Sequence, residues 1–355
     1  MNVQKFIFDK KEIAIIDGET SWKSPSNIAL VKYWGKTGEQ IPANPSISFT
    51  LSNCHTLTTL KYTKAESLSF KVFVEGKREE SFEPKIKKFL ERIKKYCSFI
   101  ENFSFEIHTR NTFPHSSGIA SSASGLSALA LCITSIEKTL DATITEDYFK
   151  EKASFLARLG SGSACRSIYP ELVVWGENKS FSNSSNLVAT PFSGAHEIFK
   201  DFQDTILLVD KGQKVVSSTV GHNLMHDHPF SKQRFEQAHN NLETLKTALV
   251  NGDLKTFTAI VESEALTLHA MMMTSNPYFI LMKPNTLKII EEVWAYRAKH
   301  DLNLTITLDA GANVHLLYPR NEEKQAISLI NSTLIEFCEN KSYICDEVGN
   351  GSVEI

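Results

Sequence analysis

Phe113-Pro114-His115-Ser116-Ser117-Gly118-Ile119-Ala120-Ser121-Ser122-Ala123-Ser124-Gly125 is a run that, after His115, is almost entirely Gly, Ser and Ala. Residues 103–109, just before it, alternate Phe103, Phe105 and Ile107 with polar neighbours, which predicts a strand. From about 122 to 140 the apolar spacing is helical. The run therefore joins a strand to a helix. Small side chains let the backbone close around a ligand, and a helix N-terminus offers unpaired N–H groups and the positive end of its dipole. Polyphosphate is the natural guest. The loop is not a Walker A motif, because no Gly-Lys-Ser/Thr follows. The same residues also suit a close-packed helix with a serine-rich cap.

Upstream, residues 46–51 and 56–63 read as two strands. Residues 68–74 form another, with Leu68, Phe70, Val72 and Val74 on one face. In the predicted helix 85–96, Ile86, Phe89, Leu90 and Ile93 form the apolar stripe, and Lys87, Lys88, Arg92, Lys94 and Lys95 could form an anion site but read first as a solvated face. Downstream, the pattern predicts a helix over 147–159 and a strand over 171–176. A strand at 206–209 opens the second half. Helices over 234–250, 254–272 and 286–299 follow, then strands 304–308 and 314–318, a helix 322–339 and a strand near Ile344. Strands and helices interleave without a regular βαβ repeat, so the expected class is α+β.

A chain of 355 residues with 42% apolar and 22% charged residues fits two ordinary globular domains. The net charge of −3 argues against nucleic-acid binding. The six cysteines make no CxxC pair and no metal spacing, as expected of reduced thiols in a cytoplasmic protein. Residues 1–16 lack the pattern of a signal peptide. The most apolar helical stretch, 126–136, is far short of the roughly 20 residues that span a bilayer.

Three further segments carry chemistry. In Asn27-Ile28-Ala29-Leu30-Val31-Lys32-Tyr33-Trp34-Gly35-Lys36, a strand ends in two lysines that can address one anion or simply meet solvent. Gly160-Ser161-Gly162-Ser163-Ala164-Cys165-Arg166 gathers hydroxyls and a guanidinium, the group that forks onto phosphate or carboxylate. Ser161 as a plain N-cap is the competing reading. Thr307-Leu308-Asp309-Ala310-Gly311-Ala312-Asn313 puts an acid at a strand end, fit for a base or for a turn. His222, His226 and His228 lack a completed ligand set, so no metal site is expected there. His269 reads as packing.

In this order and spacing, the segments resemble the mevalonate diphosphate decarboxylases of the GHMP kinase superfamily over nearly the whole chain. The matching residues are Asn-Ile-Ala-x-x-Lys-Tyr-Trp-Gly-Lys at 27–36, Asn44-Pro45-Ser46-Ile47-Ser48, and the small-residue loop at 113–123. Gly-Ser-Gly-Ser-Ala-Cys-Arg-Ser at 160–167, Lys-Val-Val-Ser-Ser at 214–218 and Asp-Ala-Gly-x-Asn at 309–313 complete the set. Ala312 and His222 stand where the family often has Pro and Met. The resemblance implies a two-domain GHMP kinase-like fold, 1–200 binding ATP and 201–355 following, with the active site in the cleft between. It implies ATP with Mg2+ as cofactors, mevalonate 5-diphosphate as substrate, isopentenyl diphosphate as product, and a homodimer. It casts Asp309 as base, Lys32 as the cation beside it, and Arg166 on the substrate carboxylate or a phosphate. Ala29, Tyr33, Lys36, Ser161, Gly162, Ser163 and Ser218 would line the substrate pocket. Ser116, Gly118, Ser121 and Ser122 would cradle the nucleotide. A kinase that stops at phosphorylation, or a monophosphate decarboxylase, remains open on charge alone. A catalytically dead relative would have lost Asp309 or Lys32, and both are present.

Overall fold

The structure is a computed structural model that describes residues 2–10, 14, 16–114, 119–212 and 218–355, except the side chains of 218 and 219. Two sheets organise it. The first is built on β1 (Gly18–Val31), a 14-residue strand whose last eight residues are all buried. A small hairpin follows, β2 (Lys36–Gly38) with β3 (Ile41–Pro42). Next come β4 (Ser46–Lys64), β5 (Ser69–Val74), β6 (Lys77–Arg78), β7 (Phe103–Asn111), β8 (Leu172–Trp175) and β9 (Thr190–Pro191). The second sheet runs β11-β12-β10-β13, from β10 (Gln203–Leu207), β11 (Thr305–Thr307), β12 (Val314–Tyr318) and β13 (Tyr343–Glu347). The last strand, β14 (Val353–Glu354), returns to the first sheet and pairs with Trp22 and Lys23 of β1. The first sheet is therefore eight-stranded, with β14-β1-β4-β7-β5-β6 in line and β8 and β9 branching from β4.

The α+β expectation holds. The segments read as two strands at 46–51 and 56–63 are one, β4. The Asp346 carboxylate explains the continuity: it accepts the N–H groups of Ser52, Asn53 and Cys54 at 2.6–2.8 Å and so satisfies the extended link between them. The helix expected over 322–339 is shorter, α8 (Glu323–Ser332). It ends at Thr333, whose φ of −138° is not helical. Beyond it the backbone bonds elsewhere, Asn285 donating to Phe337 O and Glu339 N–H to Leu208 O.

On the first sheet pack α1 (Glu83–Ile93), α2 (Ser121–Leu140) and α3 (Glu146–Gly160), closing a core of Leu60, Phe89, Phe105, Leu129, Ile133 and Phe155 among others. A short α4 (Ser218–Asn223) precedes α5 (Ser231–Asn251), α6 (Leu254–Met273) and α7 (Pro284–His300). A second core takes Ile28, Leu30 and Phe49 from the first sheet and Phe202, Leu242, Leu245 and Phe257 from the second half. Burial of these large side chains, each worth about 1.5–3 kcal/mol, ties the end of β1 to α5 and α6. That junction positions the site.

Candidate active site

Lys32 follows β1 directly and is 1% exposed. A buried ammonium needs partners. Its Nζ donates to the Ala29 carbonyl at 2.5 Å and lies 3.3 Å from Asp309 Oδ1. Asp309 comes from the other half of the chain, just past β11, and its side chain keeps 24% exposure. Burial lowers the Lys32 pKa, and the Asp309 charge beside it acts in the opposite sense. Lys32 as a solvated strand end is thus excluded: the two residues form an ion pair with one open side.

Arg166 is also buried, on the 3-10 turn Gly162–Ile168. Its Nε and Nη2 donate to Asn27 Oδ1 at 3.2 and 3.1 Å, and Nη1 to Ser46 Oγ at 2.5 Å. Asn27 in turn donates to Ser167 Oγ at 2.8 Å. The guanidinium is thus aimed by residues of β1 and β4, near enough for Asp309 to favour its charge. Ser161 makes no side-chain cap to the turn that follows it, so the plain N-cap reading fails. Ser161 and Ser163 are half-buried and Gly162 is buried between them. A Cβ on Gly162 would meet Trp175 at 2.6 Å and the Tyr33 hydroxyl at 2.9 Å, so this approach requires glycine.

The Tyr33 hydroxyl is a buried polar atom without a hydrogen-bond partner among the described residues. Such a group is costly unless something binds it, and an anion between the lysines and the serines would. Tyr33 packs edge-on to Trp175, with ring centroids 4.7 Å apart. Lys36, half-buried, has its pKa brought down to about 8 by burial first and then by the charges of Arg92, Lys88 and Lys85. The face of α1 read as solvated therefore turns part of its charge toward Lys36.

Ser121 and Ser122 open α2 and are half-buried. The Lys85 ammonium donates to Ser122 Oγ. Ala120, ahead of them, sits at φ 48°, a left-handed conformation that costs an alanine energy and keeps the turn into the helix tight. Ser116 and Gly118 lie outside the described residues, as do 214–217 of the 214–218 motif, and the side chain of Ser218 does too. Beside Ser121 and Ser122 opens a mainly apolar cavity of about 250 Å³, lined by Val72, Ile86, Ile107, Phe113 and Leu126. Nothing local in the sequence marks it, because its walls come from β5, α1, β7 and α2.

Two family models match the chain: the diphosphomevalonate decarboxylase-like N-terminal domain over residues 24–187 and the mevalonate 5-diphosphate decarboxylase C-terminal domain over 205–352. The chain belongs to the mevalonate diphosphate decarboxylase family. A curated relative, the diphosphomevalonate decarboxylase of Candida albicans, is 28% identical over 324 residues, 86% of each chain. The crystal structure of mevalonate diphosphate decarboxylase from Staphylococcus aureus superposes with a TM-score of 0.83 at 26% identity, covering 96% of this chain and 98% of that one. A structure described as MDDEF in complex with MVAPP, AMPPCP and magnesium has a TM-score of 0.82 at 26% identity, covering 96% and 99%.

Two histidines of the candidate site carry no local signal. His269, expected to pack, is buried and hydrogen-bonds through Nε2 to the Asp309 carbonyl at 3.1 Å. His222 is buried. Its Nδ1 accepts the Gly35 N–H at 2.9 Å, and its ring lies against Tyr33 and Trp34. Among the described residues no cluster of His, Cys, Asp and Glu could hold a metal ion. No described helix is long and apolar enough to cross a membrane.

Proposed function

We propose that this chain converts mevalonate 5-diphosphate to isopentenyl diphosphate, CO2 and phosphate at the expense of ATP. The observation that carries it is the Lys32–Asp309 pair at 3.3 Å, joined across the two halves and open on the Asp309 side. Asp309 accepts the proton of the tertiary 3-hydroxyl as that oxygen takes the γ-phosphoryl group. Lys32 offsets the charge that develops there. Arg166 holds the substrate carboxylate. When the C3–O bond breaks and phosphate departs, the electrons of the carboxylate's C–C bond form the new double bond and CO2 leaves. Tyr33, Lys36, Ser161 and Ser163 hold the diphosphate, with Ala29 and Gly162 lining the pocket and Ser218 approaching from the second half.

Ser121 and Ser122, with Ser116 and Gly118, hold the nucleotide phosphates. The half-buried hydroxyls and α2 N-terminus fit that task, with Lys85 beside them. These serines would hold Mg2+ together with the nucleotide, where it would supply neutralisation of phosphate charge. The apolar cavity beside them takes the adenine. Residues 1–200 and 201–355 are the two domains, and the cleft between them is the active site; the two family matches fall on either side of residue 201. We place the protein in the cytoplasm as a homodimer. Incubation with ATP, Mg2+ and mevalonate 5-diphosphate, following ADP, phosphate and CO2 together, tests the reaction. Equal yields of all three support it, and ADP without CO2 would make the chain a kinase instead.

A further inference from the structure

Lys32 is held by its main chain as well as by its ammonium, and part of that hold comes from the second half of the chain. The Lys32 N–H donates to Glu264 Oε2 at 2.8 Å. The Lys32 carbonyl accepts from Arg234 Nη2 at 3.2 Å and from Asn44 Nδ2 at 2.9 Å. Glu264 on α6 and Arg234 on α5 form an ion pair whose side chains are both 0% exposed. Arg234 Nη1 donates to Glu264 Oε1 at 2.9 Å, and Asn241 Nδ2 donates to the same oxygen at 2.6 Å. Five residues further along α6, His269 Nε2 meets the Asp309 carbonyl at 3.1 Å. One helix thus holds the backbones of both members of the Lys32–Asp309 pair.

A buried ion pair is a poor way to gain stability, because desolvation offsets much of the attraction. Well-packed apolar residues would join α5 to α6 as firmly. What apolar residues cannot do is bind the N–H and C=O of a strand end at once. We propose that Glu264 and His269 are positioning residues: with Arg234, they make α6 the ruler that sets where the Lys32 ammonium stands against the Asp309 carboxylate. This rests on Lys32 and Asp309 being the reacting pair. A displacement of 1 Å in such a pair can cost on the order of 10²-fold in rate, so a single helix that holds both backbones guards the geometry the chemistry needs.

Glu264 also acts through its charge. The groups that bear on the Lys32 ammonium are Asp309 and Glu264, which favour its charged form, and Arg166, which opposes it. Buried Asp204 of β10 feels it too, and Arg234 adds a positive charge beside the Lys32 backbone. Burial presses the lysine toward neutrality. Removing the Glu264 charge takes away a counterweight, so Lys32 would lose its proton at lower pH.

The test uses the full chain with ATP, Mg2+ and mevalonate 5-diphosphate. Glu264→Gln keeps an acceptor for the Lys32 N–H but not the charge. The expected result is a kcat lower by roughly 10- to 100-fold, both KM values within about twofold, and an alkaline limb of the kcat–pH profile moved to lower pH. A purely structural glutamate would change Tm and leave that limb where it is, and this outcome overturns the proposal. Should Glu264→Gln not fold, His269→Phe against His269→Gln decides. The phenyl group lacks the donor, and kcat should fall with KM unchanged, while the glutamine amide restores much of it. Equal kcat in the two His269 variants overturns the proposal. A wild-type chain inert to these substrates would instead sink the proposed function, and this inference with it.

Discussion

Two of the described lysines are almost wholly shut from solvent, and their surroundings are opposite. Lys152 of α3, at 0% exposure, is paired with Glu137 of α2, itself 2% exposed, and donates also to the Tyr96 carbonyl at 3.2 Å. Tyr96 and Cys97 of the first core flank the pair, and Cys97 Sγ donates to Glu137 Oε2 at 3.8 Å. Lys32, at 1%, meets a carboxylate that is 24% exposed, at a looser 3.3 Å, from a distant part of the chain. The first pair is sealed: neither member can exchange a proton with a ligand. The second is sealed on the cation and open on the anion, so the carboxylate can take a proton while the ammonium stays fixed. Burial of a charge is therefore no mark of function; what marks it is a buried cation whose partner still faces out.

The comparison breaks most sharply at Asp309. Asp309→Asn keeps the shape and leaves the Ala29 carbonyl to hold the Lys32 ammonium. Turnover should fall by about 10²–10⁴, the range for a positioned base, while mevalonate 5-diphosphate still binds in a calorimeter. Near-normal turnover in a folded variant would remove Asp309 from the chemistry. The sealed pair should answer in the other currency. Glu137→Leu strands the Lys152 ammonium, and loss of one partner of a buried pair costs about 3–5 kcal/mol. Urea unfolding should show that loss, while kcat per folded molecule at low temperature stays close to wild type. A large drop in kcat without a stability change would reverse the two roles.

Much of this site was legible in the sequence because its parts are local. The Asn27–Lys36, Gly160–Arg166 and Asp309–Asn313 segments place polar groups at strand ends and turns, and the fold sets Lys32 3.3 Å from Asp309, a closeness that only the family resemblance implied. The boundaries of β12, Val314–Tyr318, also follow from its apolar run. What stayed hidden is long-range. Glu264 and Arg234 sit in helices whose apolar stripes explain their neighbours but not them, and only the fold sets them 30 residues apart on the backbone of Lys32. The unbroken β4 depends on Asp346, almost 300 residues away. Nothing in the local pattern around His222 announces that it is wedged against Tyr33 and Trp34.

Arg166 sharpens the comparison at an intermediate size. Its three nitrogens are anchored to Asn27 and Ser46, so the guanidinium has one available orientation. A lysine keeps the charge but not the planar fork. Arg166→Lys should lower turnover by roughly 10²-fold, the cost of about 1 Å of misplacement. If the fork orients the carboxylate for loss of CO2, ADP release should outrun CO2 release in this variant. Parallel losses of both would confine Arg166 to anchoring the ligand, and wild-type behaviour in both would make the segment structural.

The smallest expected effect belongs to a third lysine, between the two extremes. Lys36 is half-buried and, without a tight carboxylate partner among the described residues in the way Lys152 has one, its pKa falls to about 8, through burial first and then Arg92, Lys88 and Lys85. A diphosphate bound beside it favours the charged form, so binding draws a proton onto the lysine. In the free protein the ammonium is largely present at pH 7 and largely lost at pH 9. One unit above a pKa about nine groups in ten are neutral, so the KM for mevalonate 5-diphosphate should rise roughly tenfold between pH 7 and pH 9. The KM for ATP should move much less. Lys36→Met should start with a raised KM and show a flat dependence over the same interval. If the variant keeps the wild-type slope, some other group governs it, and Lys36 is only part of the basic rim. If the slope vanishes with the ammonium, the three lysines form a series: one sealed and structural, one sealed beside an open base, and one open enough to exchange its proton with the substrate's arrival.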